Sequence, residues 1–340
     1  MLGFLVILLS FPLIALFFKR FLLERIFIDR YEEKAILITG CDSGFGFDLA
    51  LRCLSHGMTV FATCLTAEGC QRLLTRSSGL AGQLDCFIMD VRSEESVTTA
   101  LNHLKRTTTV IHKGLYGLVN NAGVSGVPLP DDLLTLDDYR RVVDVNAFGV
   151  IRVTHAFKEL IKEQRGRIIV VTSVCSRIAI PMLGPYSVSK FAVDAYCDIL
   201  RRELSVFGVN VCAIEPGFFS TPMVNMDNIE EKLHIVWENI SDGLKQQYGK
   251  KYLNYLIDYM REFLRGICSS HTEWVVDAHF HALTSRYPRV RYRIGIDALL
   301  WFLPLSYLPS SITDKFLQIF TYITGAPKPS IPSSCLCRST

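Results

Sequence analysis

Tyr186 and Lys190 stand four residues apart, in Tyr-Ser-Val-Ser-Lys, within a stretch from Pro185 to Phe207 whose apolar spacing predicts a helix. Residues at that spacing share a helix face, so an ammonium would lie one turn from a phenol. The positive charge favours the phenolate and is expected to lower the phenol pKa toward the working pH, which suits Tyr186 to general acid and base catalysis. A different chemistry is suggested by Thr39-Gly40-Cys41-Asp42-Ser43-Gly44-Phe45-Gly46, which joins an apolar run to a helical pattern. Glycines at 40, 44 and 46 permit a sharp turn and close approach of backbone to a pyrophosphate. The helix that starts there would offer N–H groups from around Ser43 and Phe45 together with its dipole.

These residues need elements to hold them. Short apolar, β-branched runs at Ala35 to Thr39, Thr59 to Cys64, Cys86 to Met89, Leu115 to Val119, Arg167 to Thr172 and Val209 to Ile214 read as strands. Helical spacing lies between them, at Leu49 to His56, Ser93 to Lys105, Leu136 to Lys162 and Pro185 to Phe207. Strands without alternation, separated by helices, imply a parallel sheet buried on both faces: an α/β, doubly wound, Rossmann-like domain. The carboxyl ends of such strands border one crevice, where Asn120 to Gly123, Ser173, Pro216 with Gly217, and Thr221 would converge; Asn146 falls within the long helix that begins at Leu136.

That set, in order and spacing from Lys34 to Thr221, resembles the short-chain dehydrogenase/reductase superfamily. The finer strings TGCDSGFG, Cys64-Leu65-Thr66, Phe207-Gly208-Val209, Tyr287-Pro288-Arg289 and the Leu-Pro-Leu-Ser-Tyr-Leu-Pro segment at 303 to 309 resemble its membrane-bound retinol and hydroxysteroid dehydrogenase branch. The resemblance implies that Tyr186 exchanges a proton with the substrate oxygen, Ser173 hydrogen-bonds that oxygen, and Lys190 holds the nicotinamide ribose. It implies that Asn146 steadies a water, that Asp90 and Val91 border the adenine, and that Asn120, Ala122 and Gly123 line the adenosine side. Pro216 and Thr221 would lie at the carboxamide end of the cofactor. The place after the second strand holds no ribose-reading acid, and neither loop offers a cation for a 2′-phosphate, so NAD is expected over NADP. Many members carry glycine three residues past the serine. Here Ser176 and Arg177 stand in that place, which predicts a narrower or more polar pocket mouth.

The expected reaction is interconversion of a lipophilic alcohol, of retinol or hydroxysteroid type, and its carbonyl. A 3-hydroxybutyrate-type enzyme is the alternative, with Arg177 the obvious cation for its anionic substrate. A catalytically silent membrane scaffold of the same fold is a third reading, against which Ser173, Tyr186 and Lys190 all stand.

Composition agrees with a lipid setting. The 340 residues have a mean hydropathy of +0.27, and the balance of 36 basic and 33 acidic residues forms no stripe for nucleic acid. Residues 1–18 carry no charge and are long enough for a signal-anchor helix, with Lys19 and Arg20 favouring a cytosolic-facing domain at a membrane such as the endoplasmic reticulum. A linker would cover 19–33, the dehydrogenase domain 34–297 with substrate-region helices over 218–285, an apolar C-terminal segment 298–325 broken at Pro304, Pro309 and Asp314, and a disordered tail 326–340. The apolar segment is expected to lie partly on a membrane surface or to cover a substrate entrance, and the helices from Leu136 and Pro185 to form a homodimer face by analogy. The eleven cysteines show no metal-ligand spacing and are expected to be free thiols that mostly pack; no metal is expected.

Overall fold

Four runs, Ala35–Thr39 (β1), Thr59–Cys64 (β2), Gly117–Asn120 (β4) and Arg167–Val171 (β5), are almost wholly buried, as strands covered on both faces must be. With Gln83–Ile88 (β3), Asn210–Pro216 (β6) and Arg291–Ile294 (β7) they form a seven-stranded parallel sheet in the order β3-β2-β1-β4-β5-β6-β7. The computed structural model describes residues 22–107, 112 and 114–330. The expected anchor at 1–18, Lys19 and Arg20, and the tail beyond residue 330 with Cys335 and Cys337, lie outside the described residues. Among the described residues no helix is long and apolar enough to cross a membrane.

Helices cover both sheet faces. On one face lie Gly44–Ser55 (α1), Ala67–Ser77 (α2) and, further along the chain, Glu273–Thr284; their Leu49, Leu54, Leu73, Val275 and Leu283 pack on the β1 and β2 side chains Ile36, Ile38 and Val60. On the other lie Glu94–Arg106 (α3), Val150–Glu163 (α5) and Gly184–Leu204 (α6), whose Leu104, Phe157 and Val193 meet Leu37, Phe61 and Leu118. The strand order reverses between β1 and β4, which opens a crevice at their carboxyl ends.

Several boundaries differ from expectation for identifiable reasons. Strand β3 begins at Gln83 rather than Cys86, because an edge strand tolerates the polar Gln83 and Asp85. Helix α2 has weak apolar content and carries no expectation, yet the Thr66 hydroxyl caps it by accepting from Gly69 N at 3.0 Å. The expected helix from Leu136 to Lys162 is Leu136–Val143 (α4), a π-helical stretch Asp144–Gly149, and α5 in continuous succession. The stretch from Asn228 to Tyr248 divides into Met226–Asn239 (α7) and Asp242–Tyr248 (α8), because the Ser241 hydroxyl caps a new helix. These two and Tyr252–Ile267 (α9) enclose a separate apolar cluster with Leu129 and Leu133.

Glu273–Thr284 is α10 and ends against the supposed linker. Ile28 N donates to Thr284 O at 2.8 Å and Glu24 pairs with Arg289 at 2.6 Å, so residues 22–33 dock on the domain. After β7 come a π-helical turn Ala298–Phe302, the short Leu303–Ser306 (α11) and Ser310–Ile323 (α12). Asp314 lies inside α12 and does not break it, since a charge on an exposed helix face costs little. Residues 326–330 carry no regular secondary structure.

Candidate active site

The glycine-rich turn is built by contact. Gly40 has φ +70°, and a Cβ there would come within 2.7 Å of Ala122 Cα; one at Gly46 would overlap the Asn121 amide and Gly40 O. The β1–α1 turn and the loop after β4 are thus pressed together, and Thr39 Oγ1 locks them by accepting from Asn121 N at 3.1 Å and Ala122 N at 3.0 Å. Asn121 Nδ2 donates to Thr39 O and Gly40 O, whereas Asn120 Nδ2 turns to Thr154 Oγ1 at 3.0 Å on α5. Ser43 precedes α1 in an extended conformation and makes no side-chain cap, which leaves the first N–H groups of the helix for an anion. Across the gap, Thr221 Cβ and Pro222 Cδ lie 3.8 Å from where a Gly44 Cβ would be, and Phe45 meets Phe219 edge-on at 6.0 Å. Pro216, at the end of β6, delivers the chain to that loop.

Asp42 is held by Leu65 N at 2.8 Å, Thr66 N at 3.0 Å and Thr66 Oγ1 at 2.9 Å, so its carboxylate is fixed at the end of β2. Arg72 of α2 reaches back to donate to Asp42 O at 2.9 Å. The two loops contain no cation, but the fold supplies one from a helix that sequence periodicity does not reveal. Asp90 is bound by Arg92, at 2.7 Å to Nη2, and this pairing together with the Arg92 charge holds its carboxyl below the usual range even against some burial. Val91 is buried, and its carbonyl accepts from Arg152 at 2.6 Å.

Asn146 sits in the π-helical stretch, fully buried. Its Oδ1 accepts from Val124 N at 2.8 Å, and its Nδ2 donates to Val124 O at 2.8 Å and Ser189 Oγ at 3.0 Å. The amide therefore ties the β4 loop to α6, and both its protons are used; a water could meet only its remaining Oδ1 lone pair. Pro185 at the second position of α6 fixes the start of the helix, and one turn of α6 brings Tyr186 and Lys190 together, with Lys190 Nζ 5.5 Å from the Tyr186 ring centroid. Ser173 caps the turn that follows β5, accepting from Cys175 N at 3.2 Å, and its hydroxyl stands on the Tyr186 side, where it favours the phenolate.

Electrostatics here depart from expectation. Burial pushes the Tyr186 phenol above its ordinary value, Cys175 adds to the rise, and the Ser173 hydroxyl only opposes it. The expected acidification by Lys190 does not govern this site, because burial makes Lys190 give up its own proton before the phenol titrates. Lys190 is 4% exposed, and burial lowers its pKa to about 8. One of its protons goes to Val171 O at 2.9 Å, and among the described residues the other two have no further oxygen acceptor. Gly123 lies beside it, since a Cβ there would be 3.8 Å from Nζ. A helix N-terminus without a side-chain cap at one end of the crevice and ammonium protons beyond the Val171 bond at the other fit a dinucleotide: α1 would take the pyrophosphate and Lys190 the ribose hydroxyls.

Arg177 does not face the pocket. Its guanidinium binds Glu215 at 2.6 and 3.3 Å and lies 3.6 Å from Asp194. Burial alone would raise the Glu215 carboxyl, but Arg177 and Arg291 together hold it below the carboxylate range. Ser176 is turned inward as well, its hydroxyl donating to Ser173 O at 2.7 Å. These two residues thus lend no polar group to the surroundings of Tyr186, contrary to the more polar mouth expected from them. Tyr186 packs among Val174, Cys175, Ile180, Leu183, Ala298 and Phe302. The last two come from the turn after β7, at the start of the apolar C-terminal segment.

Comparison with known proteins identifies the family. The pattern described as short chain dehydrogenase matches residues 34–232. The chain belongs to the short-chain dehydrogenase family. It is 41% identical over 296 residues to retinol dehydrogenase 5 of Mus musculus, covering 87% of this chain and 90% of that one. It is 40% identical over 294 residues to 17-beta-hydroxysteroid dehydrogenase type 6 of Homo sapiens, covering 86% and 90%. A 3beta-hydroxysteroid dehydrogenase of Caenorhabditis elegans is 38% identical over 328 residues, covering 95% of this chain and 83% of that one. The fold superposes on a short-chain dehydrogenase from Streptomyces avermitilis with a TM-score of 0.63 at 21% identity, covering 86% of this chain and 98% of that one. As a short-chain dehydrogenase the protein is an oxidoreductase acting on CH–OH groups with a nicotinamide cofactor.

Proposed function

We propose that this short-chain dehydrogenase interconverts a lipophilic alcohol, of the retinol or hydroxysteroid type, and its carbonyl, with Tyr186 as general acid and base. The observation that carries the reading is the setting of Tyr186: one helical turn from Lys190, whose Nζ lies 5.5 Å from its ring centroid, and walled by apolar side chains that include the residues following Ser173. When bound, the nicotinamide ring accepts or returns the hydride of the substrate C–H bond. Tyr186 gives its proton to the carbonyl oxygen in reduction and takes it back in oxidation, while Ser173 donates a hydrogen bond to that oxygen. Lys190 holds the ribose, and while it keeps its proton, below about pH 8, its charge stabilises the phenolate left behind. The names of the retinol and hydroxysteroid relatives support the same substrate class.

NAD is the proposed dinucleotide, because the fixed Asp42 carboxylate would repel a 2′-phosphate beside Thr66. NADP is the second reading, favoured by the Arg72 guanidinium at the same corner. A 3-hydroxybutyrate-type reaction lacks its cation, since Arg177 is committed to Glu215. Turnover of retinol, androstanediol and 3-hydroxybutyrate with each dinucleotide tests the reading: activity on the first two, strongest with NAD, is expected, and activity confined to the small acid overturns it. Tyr186→Phe is expected to keep dinucleotide binding and lose turnover at least about a hundredfold.

The site is further proposed to work at a membrane surface. Around and after Phe302, which packs near Tyr186, the C-terminal segment exposes Leu300, Trp301, Tyr307, Ile319, Tyr322 and Ile323, each more than half open to solvent. A surface of that composition suits the interfacial region of a bilayer.

A further inference from the structure

Three cysteines far from the reacting phenol converge on the α1 and α2 side of the sheet. Cys64 ends β2 and is fully buried, Cys86 lies on the edge strand β3 and is partly buried, and Cys70 stands in the first turn of α2 with 8% exposure. Their three sulfurs all lie within 4.8 Å of one another, and Cys64 Sγ is 3.9 Å from Cys86 Sγ. The spacing 64, 70, 86 fits no ligand motif, so the sequence suggests only packing thiols. Strand pairing and the docking of α2 bring them together.

We propose that Cys64, Cys70 and Cys86 form a binding site for a thiophilic d10 metal ion, Zn2+ being the natural occupant. Bonds of ~2.3 Å to zinc at the tetrahedral angle place sulfurs about 3.8 Å apart, which the Cys64–Cys86 pair already matches within a tenth or so of an ångström. The third thiol closes the triangle with a small rotation of an unbranched side chain. A disulfide is the competing use of the same sulfurs, and strand register argues against it. Ala62, not Cys64, lies opposite Cys86. Cys64 is two residues out of register, so a ~3.3 Å rise per residue and a ~4.8 Å strand spacing put the two Cα atoms about 8 Å apart, beyond the ~7 Å reach of a disulfide. Metal ligation needs no such approach of the backbones. The nearby Asp42 carboxylate is held by Leu65 and Thr66, so the fourth position falls to solvent on the partly exposed Cys86 side. Loading releases one proton per thiol and pins α2, β2 and β3 together directly behind the Leu65–Thr66 corner.

The test is titration of the full-length, reduced protein with Co2+, which reports thiolate ligation through charge-transfer absorption in the near ultraviolet. One equivalent is expected to saturate that absorption, and one equivalent of Zn2+ to abolish it. Cys70→Ser and Cys86→Ser are each expected to lose it, while Cys197→Ser, which alters a buried thiol on the opposite sheet face, keeps it. Retained dinucleotide binding shows that the variants are folded; should either fail to fold, the metal content of the wild-type chain before and after chelation gives the same answer. Absence of absorption at one equivalent, its persistence in Cys70→Ser and Cys86→Ser, or a Cys64–Cys86 disulfide forming in preference to metal uptake overturns the proposal.

Discussion

Lys190 shows how one side chain can be costly to the fold and still be the one proposed to serve the reaction. Its pKa of about 8 in the folded protein lies below the ordinary 10.5, so between those values the unfolded chain binds more protons than the native one. Stability contributed at this residue therefore rises with pH across that window, and the full penalty applies below it. Lys190→Met is expected to remove this dependence and to raise stability near neutral pH by up to roughly 3 kcal/mol, while turnover falls. Thermal melting on either side of the window, beside initial rates, checks both halves; a variant that is less stable at neutral pH contradicts the reading. The pairing of Tyr186 with Lys190 was legible because helical spacing is local. The direction of the phenol's pKa was not, because burial by Val174, Leu183 and Phe302 depends on chain segments more than a hundred residues apart.

At the scale of elements, the strands of the sheet interior and the glycine turn declare themselves, while pairings between elements do not. Arg291 and Arg293 alternate on β7 with the buried Tyr292 and Ile294, so both guanidiniums fall on the side of α6 and meet Glu215, 1% exposed on β6. Arg291 also binds Asp194 and Asp198 on α6, the helix that carries Tyr186. Arg177 joins this group from the turn after Ser173, and so the network clamps the two segments that carry Ser173 and the Tyr186–Lys190 turn. Arg177→Met is expected to cost about 1–3 kcal/mol, less than breaking an isolated buried pair because two arginines remain on Glu215. Urea unfolding measures that loss. Michaelis constants for a neutral lipophilic alcohol should stay within about twofold, since KM moves with contacts made to the substrate and Arg177 makes none. A large rise in KM would place Arg177 at the substrate after all.

For the molecule as a whole, the C-terminal segment connects site and surroundings: its inner side supplies Ala298 and Phe302 to the apolar wall, and its outer side exposes large apolar residues. A chain lacking residues 1–21 is expected to float with phosphatidylcholine vesicles through this face. Replacing Leu300 and Trp301 together by serine should weaken that association at least about tenfold, each buried side chain contributing ~1.5–3 kcal/mol. Unchanged flotation would remove the C-terminal face from membrane contact. Asn239 is exposed at the end of α7, within Asn-Ile-Ser, so its modification state reads out the side of the membrane. A cytosolic-facing domain leaves it without a glycan.

The sequence by itself determined the parallel α/β class, the glycine turn and the one-turn spacing of phenol and amine, because each follows from short-range periodicity and backbone sterics. Only the tertiary structure decided that Arg177 serves the fold rather than a substrate, that Arg72 returns to the Asp42 corner, that Asn146 spends its amide on bracing, and that three unremarkable cysteines meet. Those outcomes rest on charge pairing, desolvation and proximity between distant segments. These quantities exist only once the chain has closed on itself.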